Sequence, residues 1–104
     1  MIIVNVTYTV KSEFVSKNQE NIDSFLKDFR KLSSDKFRYI VYLRDDGKTF
    51  MHLSMYQDEE TQQQVLDVAS FISFQKQRDE SGLEGPHKIE MMELVGSSFD
   101  IFTP

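Results

Sequence analysis

The tetrapeptide Asp45-Asp46-Gly47-Lys48 divides the centre of the chain into two stretches suited to pair with each other. Asp-Gly readily supplies the positive φ angles of a tight hairpin turn. The flanking segments, KFRYIVYLR (36–44) and TFMHLSMYQ (49–57), are rich in β-branched and aromatic residues and read as strands. Beyond this hairpin the hydrophobic period changes on both sides. Upstream, Ile22, Phe25, Leu26, Phe29 and Leu32 recur at helical spacing. Ser12 or Ser16 starts this helix, and Ser33, Ser34 and Asp35 end it. Downstream, Asp58 is placed to cap a second helix, with Glu59 and Glu60 in its first turn, where the dipole favours acids. Its apolar rows drift from Val65, Val68, Ala69 and Ile72 to Phe71 and Phe74, and Ser70 marks a break.

The segment IIVNVTYTV (2–10) adds a strand before the first helix, and HKIEMMELVG (87–96) adds one after Gly82 and Gly85-Pro86. The order β-α-β-β-α-β predicts an α+β, ferredoxin-like fold. Its four-stranded antiparallel sheet has the order 4-1-3-2, with both helices on one face. Within it strands 1 and 3 are read as parallel neighbours. With 104 residues the chain makes one domain.

Alternation sorts the strand residues into two faces. The more uniformly apolar rows, Ile2, Val4, Val6 and Tyr8 with Met51, Leu53 and Met55, are assigned to the helix side. Asn5, Thr7, Thr9, Phe50, His52, Ser54 and Tyr56 then fall on the open face. An even hairpin loop places Val41 opposite His52 and brings Tyr39 and Leu43 to the same face, whereas a bulged loop inverts this pairing. Such a face is too apolar for water and too polar for an ordinary core. Two sheets packed around a small mixed cavity, as in a homodimer, satisfy both demands. Asn5 and His52 are each about the fourth residue of neighbouring strands, which lie ~4.8 Å apart.

Two readings of His52 stay open. It is a buried histidine bonded to Asn5 or Ser54, or it is a general base beside Asn5, its usual pKa lying near neutrality. In the second reading Tyr39, Phe50, Ser54, Tyr56 and Thr7 contact the substrate. His87 reads as a solvated loop-edge residue at the opposite end of the sheet, so a metal site of His52, His87 and Glu93 is not expected. The net charge of −5, with no basic cluster, argues against nucleic acid and anionic membranes. The chain has no cysteine and no apolar run near the ~20 residues that span a bilayer. Its first residues lack the basic region and cleavage site of a signal peptide. A cytoplasmic protein that holds no membrane is expected.

The order of elements, GKTFMHLSMYQDEE running into an acidic helix start, the SFISFQKQ segment and the ending GPHKIEMMELVGSS resemble the antibiotic biosynthesis monooxygenase-like (ABM) family of dimeric α/β-barrels. The resemblance covers nearly the whole chain. It implies a homodimer with a ligand cavity between sheet and helices of each protomer. It also implies cofactor-independent oxygenation of a small aromatic phenol or quinol, with no cofactor; the alternative is a non-catalytic binding or structural module. In haem-degrading relatives a strand-1 asparagine, matched by Asn5, acts with a tryptophan and a helical histidine. This chain has no tryptophan, and residues 59–81 contain no histidine. Residues 1–96 form the domain so implied, and residues 97–104 a tail. Its Phe99, Ile101 and Phe102 are expected to pack on the same chain or a partner.

Overall fold

The computed structural model describes residues 1–102. Strand β1 (Ile2–Thr9) leads through a 3-10 turn (Ser12–Phe14) into helix α1 (Val15–Lys31). The hairpin β2 (Phe37–Leu43) and β3 (Thr49–Tyr56) follows, then α2 (Glu59–Leu66), α3 (Ala69–Gln77), a π-type turn (Arg78–Gly82) and β4 (Lys88–Met92). The sheet order β2-β3-β1-β4, all antiparallel, is the ferredoxin-like arrangement.

Local chemistry sets these boundaries. Gly47 has φ 75°, and the Asp46 carboxylate accepts from the backbone N–H groups of Lys48 and Thr49, which closes the hairpin. Ser33, at φ 52°, turns the chain out of α1. The Asp58 carboxylate accepts from the Thr61 N–H at 2.8 Å and caps α2. The second helix breaks at Asp67–Val68, before Ser70. Val68 is extended there, which gives α3 an axis of its own and turns Phe71 and Phe74 into the core.

The relation of β1 to β3 differs from the expectation. The α1 crossover makes β1 parallel to β2, and the tight hairpin reverses β3, so β3 must run against β1. Val6 pairs with His52, Tyr8 with Phe50 and Asn5 with Leu53. Directly paired residues share a face. Phe50, His52, Ser54 and Tyr56 therefore lie under the helices with Val4, Val6 and Tyr8, while Met51, Leu53 and Met55 share the open face with Asn5 and Thr7. The hairpin register is the expected one, with Val41 opposite His52 and Leu43 opposite Phe50. The slip lies between β1 and β3, and it inverts β3 as a unit.

The core under the helices is aromatic. Phe25 and Phe29 of α1 and Phe71 and Phe74 of α3 pack on Tyr8, Tyr39, Phe50 and Tyr56. On the open face Phe102 returns to the sheet. The Arg38 guanidinium lies 5.8 Å from the Phe102 ring, and Ile101 and Phe102 are half-buried while Phe99 is exposed.

The π-type turn is tied to β1 by the Lys11 N–H, which donates to the Gly82 carbonyl at 2.8 Å. Gly82 has no room for a side chain, because an added Cβ would sit 2.5 Å from Cδ2 of Phe14. Gly82→Ala should therefore cost about 1–3 kcal/mol by forcing the Phe14 ring aside. A urea midpoint equal to that of the parent would refute this.

Candidate active site

A cavity of about 250 Å³ opens between the sheet, α3, the π-type turn and the start of β4. Val6, Phe71 and Ile89 form its apolar wall, and Tyr39, His52, Gln75, Arg78, Asp79 and His87 supply the polar groups. It lies between sheet and helices of a single protomer, and not at the open face.

His52 is 2 % exposed and carries a hydrogen bond on each ring nitrogen. Nε2 is 2.7 Å from the Tyr8 hydroxyl and Nδ1 is 2.7 Å from the Tyr39 hydroxyl. Asn18, buried on α1, donates from Nδ2 to the Tyr8 hydroxyl at 3.0 Å. The imidazole stacks on Phe74, with centroids 5.4 Å apart. Burial, reinforced by the nearby Arg78 charge, pushes its pKa down to about 3. Burial also raises the Tyr8 and Tyr39 phenols. Near neutral pH, then, the imidazole is uncharged and both hydroxyls keep their protons. An ionising base at His52 does not fit this setting.

Arg78 is the buried charge of the site, 6 % exposed. Its guanidinium carbon lies 5.0 Å from the Tyr8 ring centroid and 5.2 Å from that of Phe74, within cation–π range. Nε donates to Oδ1 of Asp79 at 2.9 Å, and the Nη donors have no acceptor among the described residues. A desolvated guanidinium with free donors at a cavity wall is equipped to hold an oxyanion.

His52 and Tyr39 are thus together in the cavity. Phe50 lies on the same face but lines a separate groove with Ile22 and Leu26 of α1. Ser54 donates to the Val4 carbonyl at 3.3 Å, and Tyr56 is a buried core residue further along β3. Asn5 and Thr7 are on the opposite face and do not meet His52, because antiparallel pairing places them with Leu53 and Met51. His87 lines the same cavity as His52, since β4 pairs with β1 so that Ile89 sits opposite Val6. No cluster of three or more metal-ligating side chains occurs among the described residues.

Sequence reasoning missed Tyr8, Asn18 and Arg78, although two of them left a signal. Asn18 continues the apolar row Ile22, Phe25, Phe29 one turn upstream. Arg78 continues the row Phe71, Phe74 one turn downstream. A polar residue in the buried stripe of an amphipathic helix points into the core.

No protein-family model matches the chain, and neither does any curated protein sequence. Solved structures do match in shape. An antibiotic biosynthesis monooxygenase superimposes with TM-score 0.78 at 11 % identity, over 92 % of this chain and 100 % of that one. Two others carry the same words in their names. The Nitrosomonas europaea protein gives 0.77 at 13 % identity, over 92 % and 100 % of the two chains. The Bacteroides thetaiotaomicron protein gives 0.81 at 7 % identity, over 95 % and 93 %. The chain shares the fold of these proteins. At these identities the likeness concerns the ABM-like backbone, and the chemistry rests on this chain's own cavity. No helix among the described residues is long and apolar enough to cross a membrane.

Proposed function

We propose that the protein is a cofactor-independent monooxygenase of the ABM-like type, acting on a small phenol or quinol. The observation that carries this reading is the convergence of Arg78 with the Tyr39–His52 pair on one cavity under the helices. A phenol loses its hydroxyl proton, and the phenolate oxygen is held by the Arg78 Nη donors. The phenolate passes one electron to dioxygen, and the resulting phenoxyl radical and superoxide join through a new bond between a ring carbon and oxygen. Loss of the ring hydrogen at that carbon and cleavage of the O–O bond leave a carbonyl. The outer oxygen departs as water with that proton and the one taken from the phenol, so a phenol and dioxygen give a quinone and water. Val6, Phe71 and Ile89 supply the apolar contact for the ring. His52 remains neutral throughout; His87, an exposed imidazole on the cavity wall, is the group suited to take the proton.

Oxygen uptake should be measured against a panel of phenols and quinols, with ¹⁸O₂ incorporation read by mass spectrometry. Arg78→Met should lower turnover of any active compound by ~10²-fold or more, the usual size of a lost oxyanion contact. Binding without oxygen uptake across the panel would refute catalysis and favour the ligand-binding module.

We further place the protein in the cytoplasm as a homodimer. Ile40 and Tyr42 are exposed on the open face, and Ile89 and Met91 are 60 % and 68 % exposed at the β4 edge. Apolar surface left in water in this pattern favours a second copy. Sedimentation at micromolar concentration should give about twice the 12.2 kDa chain mass. A stable monomer there would overturn the assembly.

A further inference from the structure

The four groups Asn18, Tyr8, His52 and Tyr39 form one hydrogen-bonded chain from α1 to the cavity wall. Its protons can be counted. The Asn18 amide spends an N–H on the Tyr8 oxygen. Tyr8 is 2 % exposed, so its own proton must find an acceptor, and the available one is Nε2 of His52. A neutral imidazole with Nε2 accepting carries its proton on Nδ1, which donates to the Tyr39 oxygen. The Tyr39 proton is then left over, at a residue that lines the cavity.

We propose that Asn18 is a positioning residue that fixes the direction of this chain, so that Tyr39 faces the ligand as a hydrogen-bond donor and the cavity selects a ligand oxygen that accepts. Asn18 Oδ1 is buried without a partner, so the bond to Tyr8 is the one hydrogen bond that this side chain makes among the described residues. The donor so created acts beside the free Nη groups of Arg78. Both favour a phenolate or carbonyl oxygen over a protonated hydroxyl. The ligand class rests on the phenol reading above, whereas the direction of the chain does not.

Long-range ¹H–¹⁵N correlation spectra of the ¹⁵N-labelled protein near neutral pH decide the point. His52 should be the Nδ1–H tautomer. Asn18→Asp keeps the shape and offers a carboxylate that only accepts, so Tyr8 should turn to it and His52 should switch to Nε2–H. An Nε2–H tautomer in the parent protein overturns the proposal, as does an unswitched tautomer in a folded Asn18→Asp with an ionised carboxylate. If that variant does not fold, the parent tautomer decides alone. The same samples are titrated with 4-nitrophenolate, and Tyr39→Phe should bind it roughly ten-fold or more weakly. Failure of the parent to bind, with Nδ1–H observed, would sink the phenol reading and leave the chain's direction established.

Discussion

Acidification from pH 7 to 4.5 should destabilise the protein by about 3 kcal/mol, and His52→Gln should remove most of that loss. The imidazole pKa is about 3 in the folded protein, against 6.5 when exposed. Between these values the unfolded chain binds the proton that the folded protein refuses, so folding weakens as pH falls. The stability is complete above pH 6.5 and is lost progressively towards pH 3. The cause is the burial of His52 among Phe25, Phe74 and Tyr8, with the Arg78 charge adding to the cost of an imidazolium. Asp28, Asp46 and Asp58 also have lowered pKa values, through hydrogen bonds to Ser70, Thr49 and Thr61. Their loss runs in the same direction but falls chiefly below the ordinary carboxylate value of 3.8. Denaturant melts at pH 7, 6, 5 and 4.5 on both proteins measure the effect. Equal acid sensitivity in parent and variant would show that His52 is not the titrating group.

The elements were legible because each one is written locally. The turn leaves two hairpin registers, one for an even loop and one for a bulged loop, and the even one is formed, with Val41 opposite His52. The relation of β1 to β3 is not local: it follows from a helical crossover and a reversal taken together. Reading hydrophobicity alone favoured the Met51, Leu53, Met55 row as the buried one, since the other row carries His52 and Ser54. In the fold that row is polar because the Tyr8 and Tyr39 hydroxyls reach the imidazole from neighbouring strands. Sequence patterning prices a buried polar side chain as if it were alone, and this one has two partners. The cavity was placed at the open face for the same reason. The family resemblance put it between sheet and helices, where Arg78 and His87 now stand beside His52. Arg78 lies within the segment read as helical and continues the Phe71, Phe74 row, but an apolar count passes over a guanidinium whose buried partners are the Tyr8 and Phe74 rings.

Phe25→Ala should cost about 3–5 kcal/mol, a large share of the ~5–15 kcal/mol that holds a domain folded. Phe25 is fully buried and stands at the middle of the aromatic core. Its ring centroid lies 5.0 Å from Phe29 on its own helix and 5.0 and 4.9 Å from Phe71 and Phe74 on α3. It is also 5.5 Å from Tyr39 and 6.1 Å from His52 on the sheet. One side chain thus joins both helices to the two residues at the cavity wall. Its removal leaves a void that rigid neighbouring rings cannot close, so the cavity term adds to the lost burial. The melting temperature should fall by roughly 12–40 °C at ~4–8 °C per kcal/mol. A second consequence separates this from a generic core defect. Water admitted beside His52 relieves the desolvation that depresses its pKa, so the folded and unfolded values move together. The variant should therefore lose less stability on acidification than the parent does. A loss under about 1 kcal/mol at pH 7, or an undiminished acid dependence in the folded variant, would show that Phe25 does not hold the imidazole dry.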